Sequence, residues 1–224
     1  MNRLQSELQR LYQLSAPNPA GELRALVMEL GDPPDWSALS KVWRGVQADL
    51  QLPAPAIAVS GDDALQLWFS LQAPVSLARA ADFLQRLRGR YLPDIASKRV
   101  RLMPSDAGAD LPVVPAQWEA TGNWSAYVAP DLAPIFADTP WLDIEPGAEG
   151  QADLLARLES ITPVAFDAAL RRLAPAAPES AAQPMQPVGQ ATDVDPRRFL
   201  QQVLNDETVA LALRIEAAKA LLQR

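Results

Sequence analysis

The hydrophobic residues of this chain follow two spacings, one helical and one typical of strands, that alternate along its first half. A helical spacing within residues 1–14 predicts an amphipathic helix. A nearly continuous apolar run over residues 22–30 then predicts a strand. The helical spacing returns over residues 36–50, directly after Asp35, a residue type that caps helix N-termini. The pattern therefore predicts the order helix, strand, helix.

A β-hairpin is predicted next. Residues 56–59 and 64–71 are mostly apolar, and the four residues between them, Ser60 to Asp63, have the types found in tight turns. Gln66 is a polar residue just inside the second strand. Trp68 and Phe69 are adjacent on this strand, so their side chains point to opposite faces and at least one belongs to the core.

Similar signals predict the rest of the chain. Ser76 precedes a helical pattern that ends near residue 91, and residues 99–103 have the composition of a short strand. Later candidates are strands at residues 113–114 and 123–129 and helices at residues 149–160 and 163–173. This order predicts an α+β domain over residues 1–174, with a mainly antiparallel sheet and helices packed on one face, a primase-palm or RRM-like arrangement.

The last fifty residues differ from this domain in composition. Residues 175–194 are rich in Pro, Ala, Gln and Ser without an apolar period, which predicts a flexible linker. Asp195 and Pro196 then have the types of an N-cap and a first helical residue. Apolar residues at helical spacing follow, so residues 195–224 are predicted to form a C-terminal helical tail.

The composition removes several kinds of chemistry. The 224 residues include no Cys and no His, which excludes disulfides, thiolate nucleophiles, imidazole bases and zinc sites built on either residue. A divalent ion on oxygen ligands is still compatible with the sequence. The net charge of −7 argues against a protein that follows duplex DNA by charge. We expect no membrane partner and a cytoplasmic protein, because neither a membrane-spanning run nor a signal-peptide pattern is present.

Two short stretches carry a family pattern, Glu29-Leu30-Gly31-Asp32-Pro33 and Ser60-Gly61-Asp62-Asp63-Ala64-Leu65-Gln66. With them, residues 22–103 resemble archaeo-eukaryotic-type primases, and most closely the polymerase domain of bacterial end-joining ligases. The corresponding family motifs are Asp-Leu-Asp-Pro at a strand end and Ser-Gly-Gly-x-Gly-Leu-His entering a later strand. The resemblance implies that the strand with Glu29 lies beside the strand with Gln66. It also implies that Ser60 and Gln66 lie where the family contacts phosphates.

The chain departs from this family at the positions that carry its chemistry. The family holds Mg²⁺ or Mn²⁺ with two carboxylates two residues apart, since alternate strand residues share a face. Here the first position is Glu29, the second is Gly31, and Asp32 would return to that face only through a bulge. Gln66 replaces the family's His and carries no positive charge. Glu29 and Asp32 are therefore catalytic and metal ligands only if the chain is active, and otherwise no cofactor is expected. Alternatively, these two acids only solvate a strand end and form a turn.

A basic segment provides further candidates for contact with phosphate. Residues 79–101 include seven basic residues and only two acidic ones. The basic residues are Arg79, Arg86, Arg88, Arg90, Lys98, Arg99 and Arg101. Arg86 and Arg90 are predicted to share a helix face, and Arg99 and Arg101 a strand face. These four, with Ser60 and Gln66, are the predicted phosphate-binding residues. The alternative is a solvated helix face with ion pairs inside the helix.

Three functions are compatible with the sequence. The first is a non-catalytic primase-like module that binds single-stranded nucleic acid or a nucleotide. The tail favours a replication or mobile-element setting, because the segment from Arg214 to Leu222 resembles the C-terminal helices of phage small-terminase-like proteins. The second is an adaptor whose tail, residues 195–224, binds a protein partner. The third is a metal-dependent nucleotidyltransferase that uses Glu29 and Asp32.

Overall fold

A computed structural model describes residues 2–13, 22–105 and 111–174. The strands are β1 (Glu22–Gly31), β2 (Ala56–Val59), β3 (Ala64–Ser76), β4 (Val100–Met103) and β5 (Ala126–Val128). The α-helices are α1 (Arg3–Tyr12), α2 (Trp36–Ala48), α3 (Leu77–Tyr91), α4 (Ala148–Ala156) and α5 (Pro163–Leu173). Two 3-10 turns are also present, at Ser97–Arg99 and Ala133–Ala137. The predicted α+β class is confirmed.

The strands in the described ranges form one antiparallel sheet in the order β4-β1-β3-β2-β5. The two long strands β1 and β3 lie side by side, from the pair Glu22 and Ser76 to the pair Gly31 and Ala64. β2 and β3 form the predicted hairpin, and β5 pairs with the other side of β2. The predicted adjacency of the strands that carry Glu29 and Gln66 is therefore confirmed.

One face of the sheet packs against α2, α3 and α5. This layer contains most of the large apolar side chains that periodicity assigned to helix faces. At its centre Phe69 of β3 contacts Phe83 of α3 with ring centroids 5.8 Å apart, and Phe83 contacts Phe166 of α5 at 5.0 Å. Aromatic pairs at such distances add to the burial of apolar area, so this face is the main core.

The other face packs against α1 and α4, so the prediction that helices lie on one face is wrong. Trp68 points to this face, is fully buried, and contacts Tyr12 of α1 and Tyr127 of β5. Ala152 and Leu155 of α4 belong to the same cluster. The physical reason is that Trp68 and Phe69 lie on opposite faces of a long central strand, and each needs an apolar cover.

The local sequence signals predicted most helix starts correctly, whereas some predicted strand and helix ends differ from those in the structure. Asp35 caps α2 by accepting from the backbone N–H of Ala38 at 2.9 Å, and Ser76 caps α3, both as predicted. β3 continues from the predicted end at residue 71 to Ser76, because its last residues still pair with β1. The predicted strand at residues 113–114 is absent from the described range, and α4 ends at Ala156. Proline does not interrupt β3 because Pro74 lies beyond the fully buried part of the strand.

The predicted linker, residues 175–194, and the predicted helical tail, residues 195–224, lie outside the described residues. The boundaries assigned to domain, linker and tail therefore stay predictions. Within the ranges that are described, no helix has both the length and the apolar character needed to cross a bilayer.

Candidate functional site

A row of polar side chains crosses the sheet at the position where the family pattern placed its metal and His. Glu29 on β1 lies opposite Gln66 on β3, and Arg101 on β4 lies opposite Glu29 on its other side. Residues directly opposite in antiparallel strands share a face, so the three side chains form one row. The row lies on the face that also carries Trp68.

These side chains form hydrogen bonds and an ion pair with one another. The amide of Gln66 donates to Glu29 Oε2 at 2.8 Å, and Arg101 approaches Glu29 Oε1 at 3.0 Å. The indole N–H of Trp68 donates to Gln66 Oε1 at 2.9 Å. Glu29 and Gln66 are only 8% and 1% exposed, whereas the Arg101 side chain is 73% exposed. Both oxygens of the Glu29 carboxylate are therefore already engaged within the protein.

Asp32 lies apart from this row. Gly31 pairs in register with Ala64 as the last residue of β1, and the register shift of the β1–β3 pair lies at the other end of β1, between Leu23 and Ala25. The bulge considered at Gly31 is therefore not formed. Asp32 is exposed and has a φ of 53°, in the left-handed region. Among the described residues, no group of three His, Cys, Asp or Glu side chains is placed to hold a metal ion.

The turn that contains Ser60 is closed by its own hydrogen bonds. The Ser60 hydroxyl accepts from the backbone N–H groups of Asp62 and Ala64 at 3.1 and 3.0 Å. The N–H of Gly61 donates to the carbonyl of Pro140 at 3.1 Å. These N–H groups would have to leave their present acceptors to reach a phosphate. The hydrogen bonds of the turn therefore serve the structure of the hairpin.

Arg86 and Arg90 share a helix face, as predicted, and that face is turned to α5. Arg86 pairs with Asp82 at 2.7 Å and donates to the carbonyl of Leu170 at 3.3 Å. Arg90 donates to the carbonyl of Arg172 at 3.4 Å. Because both guanidinium groups connect α3 to α5, any contact with phosphate would use only their remaining donors.

Arg99 and Arg101 do not share a strand face, so that prediction is wrong. Arg99 ends the 3-10 turn before β4, and it donates to the carbonyls of Gly31 and Pro33 at 3.3 and 2.6 Å. Those contacts hold the end of β1 against the turn. Arg101 alone of the two lies on β4.

A groove between α3 and the edge strand β4 brings together basic and hydroxyl groups. Its volume is about 310 Å³. Its charged lining residues are Arg88 and Arg101, and no carboxylate lines it among the residues that the structure describes. Arg88 donates to the Ser97 hydroxyl, while its Nε is buried without a partner. A buried donor without an acceptor is unfavourable by about 1–3 kcal/mol, so an anion in the groove would supply what Arg88 lacks.

Arg88 is a candidate that sequence reasoning missed. It belongs to the basic segment, but it was not selected because the choice rested on pairs of arginines sharing a face. The order of α3 and β4 could have predicted a cleft, since a helix followed by an adjacent edge strand leaves a cleft between them. Without the register of β4 the sequence could not show which arginine faces that cleft.

The three tyrosines of the chain provide a pH prediction. Burial raises the pKa of Tyr12 and of Tyr127 well above the usual value of 10. Burial, and secondarily a hydrogen bond to Asp49, raises the pKa of Tyr91 to about 12. Since the native state keeps protons that the unfolded state releases near pH 10, stability is complete below about pH 10 and falls above it.

We therefore expect tyrosinate absorbance near 295 nm to stay low in the folded chain at about pH 10.5 and to rise fully in urea at the same pH. An unfolding titration over the same range should show the midpoint falling as the pH increases. A folded chain whose tyrosines all titrate near pH 10 would contradict the burial of Tyr12 and Tyr127.

The chain is similar to solved structures that include the two named next, while no family model and no curated protein matches the sequence. One is the AEP domain of the cyanophage S-2L primase-polymerase, with a TM-score of 0.31 and 15% identity over 60% of this chain and 61% of that chain. The other is the polymerase domain of Mycobacterium tuberculosis ligase D in complex with DNA, with a TM-score of 0.38 and 20% identity over 63% of this chain and 53% of that chain. The chain thus spans less than two thirds of either. Both are primase-polymerase or ligase polymerase domains, the kinds of protein that residues 22–103 resemble in sequence.

Proposed function

We propose that this chain is a non-catalytic module that binds the phosphate groups of single-stranded nucleic acid or of a nucleotide, in a replication or mobile-element setting. The observation that carries the proposal is the groove between α3 and β4, which is lined by Arg88, whose buried Nε has no hydrogen-bond acceptor. Guanidinium groups present several N–H donors in a fixed plane that matches phosphate oxygens. Ser97 and Ser105 also line the groove, and serine is a residue type that contacts phosphates in nucleic-acid complexes.

The polar row across the sheet supports the non-catalytic part of the proposal. A metal at Glu29 would have to displace Arg101 and Gln66, the groups that now occupy the two carboxylate oxygens. Gln66 cannot supply the positive charge of the family's His. Asp32, the other acid that the resemblance implied, lies in the turn after β1.

The binding experiment uses the full chain and a fluorescent oligothymidylate, with anisotropy measured between about 50 and 200 mM salt. Arg88→Ala should weaken binding about tenfold, the effect of one charge-assisted hydrogen bond, and should lower the salt dependence by about one phosphate contact. The matched control is Arg157→Ala. This arginine is exposed and lines a different cleft, against β2 and β5 at the opposite edge of the sheet.

Two outcomes would overturn the proposal. Equal affinities for the wild type and Arg88→Ala would remove the groove as the binding site, and no binding at about 50 mM salt would remove the function itself. Incorporation of a labelled nucleotide with Mg²⁺ or Mn²⁺, abolished by Glu29→Gln, would instead establish a nucleotidyltransferase.

A further inference from the structure

We infer that a surface beside β5 docks a protein segment that carries both basic and apolar side chains. The surface consists of residues 113–119, 123–125 and 141–145, and we call it the acidic-apolar surface. It adjoins β5, whereas the groove adjoins β4, and these two strands are the opposite edges of the sheet. The inference therefore goes beyond the proposed function and concerns a different part of the molecule.

The three segments of the surface form one connected unit. The middle segment pairs with both outer ones, because Trp124 exchanges two backbone hydrogen bonds with Leu142, at 2.8 and 3.0 Å. On the other side the N–H of Trp118 donates to the carbonyl of Asn123 at 2.7 Å. Side chains on the two outer segments are thus held together by backbone pairing, as in a small sheet.

Large apolar side chains are exposed on this unit. Among the residues that the structure describes, six large apolar side chains are exposed, and five of them lie between residues 113 and 144, namely Val113, Trp118, Leu132, Ile135 and Ile144. On the surface itself, Val113 is 70% exposed, Trp118 47% and Ile144 76%. Grouped exposed apolar side chains mark interaction sites, and Trp is enriched among the residues that dominate binding energy at protein interfaces.

The charge of this part of the chain has a single sign. Residues 102–156 contain nine acidic residues and no Lys or Arg, and the acids are Asp106, Asp110, Glu119, Asp131, Asp138, Asp143, Glu145, Glu149 and Asp153. On the surface, Glu119, Asp143 and Glu145 form no hydrogen bond or ion pair with any other described residue. The turn between β2 and β3 adds two further acids, and its backbone is hydrogen-bonded to the chain just before the third segment.

These charges select the class of partner. The phosphates of a nucleic acid and the anionic lipids of a membrane surface would both be repelled. A second copy that presents the same surface would place like charges opposite each other. A protein segment with Lys or Arg beside apolar side chains matches both features, since it can cover Trp118 and Ile144 while its cations face the surrounding acids. This arrangement of apolar centre and charged rim is the usual anatomy of a protein interface.

The test uses the full chain and two fluorescein-labelled peptides of equal length and equal charge. One contains Lys and Leu at a helical spacing that gives it a basic and an apolar face, and the other has Ser in place of every Leu. Anisotropy at about 50 mM salt should show binding of the Lys–Leu peptide and at least tenfold weaker binding of the Lys–Ser peptide. This comparison does not depend on the folding of any variant.

Two pairs of variants locate the binding on the surface. Ile144→Ser should weaken binding of the Lys–Leu peptide about tenfold, the order expected when one Ile side chain is no longer covered. Its matched control is Val164→Ser, because Val164 is 78% exposed but lies in α5, outside the acidic stretch. Asp143→Lys should weaken binding about tenfold at about 50 mM salt and less at about 200 mM. Glu159→Lys, an exposed acid between α4 and α5, makes the same change of charge elsewhere and should alter affinity by no more than about twofold.

Four results would overturn the inference. They are no binding of the Lys–Leu peptide at about 50 mM salt, equal binding of the Lys–Ser peptide, equal effects of Ile144→Ser and Val164→Ser, or equal effects of Asp143→Lys and Glu159→Lys. Sedimentation provides a further check, since a concentration-dependent dimer that Ile144→Ser abolishes would assign the surface to contact between copies of the chain. Binding of the oligothymidylate is measured separately, so failure of the docking surface and failure of the proposed function are distinguishable.

Discussion

Replacing Gln66 with Leu should destabilise the folded chain by about 3–5 kcal/mol. The substitution removes two hydrogen bonds in the buried centre of the sheet, one to Glu29 at 2.8 Å and one from the Trp68 indole at 2.9 Å. It leaves one buried carboxylate oxygen and one buried N–H without a partner. The unpaired carboxylate dominates, because a buried charge that loses a hydrogen-bond donor has no water to replace it. Urea unfolding followed by tryptophan fluorescence measures the effect.

The structure offers a matched control for this prediction. Gln117 is exposed and donates to the carbonyl of Gly122 at 2.9 Å, so Gln117→Leu should change stability by no more than about 0.5 kcal/mol. Arg101→Ala removes the exposed partner of Glu29, and its effect should be about 1 kcal/mol or less. A Gln66→Leu variant as stable as Gln117→Leu would show that the polar row is not closed as described.

A double substitution tests the same network from the other direction. When both partners of a buried hydrogen bond become apolar, little desolvation penalty is left. Glu29→Leu combined with Gln66→Leu should therefore be less destabilising than the sum of the two single variants. Additive effects would indicate that the two side chains do not interact, since additivity is expected only of independent sites.

This row also shows how far sequence reasoning can reach. The adjacency of the strands that carry Glu29 and Gln66 was implied by the family pattern and is confirmed, and the structure adds the register that sets the two residues opposite each other. The hydrogen bond from Trp68 to Gln66 was equally accessible, because residues two apart on a strand share a face. No local pattern predicts that Arg101 pairs with Glu29. That contact depends on β4 lying beside β1, which is a tertiary feature.

The errors have a common physical origin in tertiary placement. An amphipathic helix pattern identifies an apolar face but not the surface that covers it, so α1 was located in sequence while its place on the second face of the sheet was not. Arg99 was assigned to a strand because neighbouring residues are strand formers. Its two backbone acceptors, the carbonyls of Gly31 and Pro33, are distant in sequence and hold it in a turn instead.

Replacing Gly61 with Ala should destabilise the chain by about 2–4 kcal/mol, through two separate effects. Gly61 has a φ of 87°, a conformation that L side chains rarely adopt. A Cβ at this position would also lie 2.8 Å from the backbone N of Ser125, closer than non-bonded atoms approach. The backbone of residues 124–125 would have to move, and Ser125 N–H is hydrogen-bonded to the carbonyl of Ala116 at 2.9 Å.

Two other glycines separate the conformational effect from the steric one. Gly122 has a φ of 78°, but its nearest neighbour would be Gln117 Nε2 at 3.9 Å, so Gly122→Ala should lose only about 1 kcal/mol. Gly89 lies in α3 with no neighbour within 4 Å, and Gly89→Ala should gain about 0.5–1 kcal/mol. If Gly61→Ala were no worse than Gly122→Ala, the hairpin turn would not be packed against residues 124–125. Its N–H groups would then be free to meet a phosphate, as the resemblance implied for Ser60. The expected order, with Gly61 far the most sensitive, would mean that the turn is a closed structural element, and the groove beside β4 would remain the proposed phosphate site.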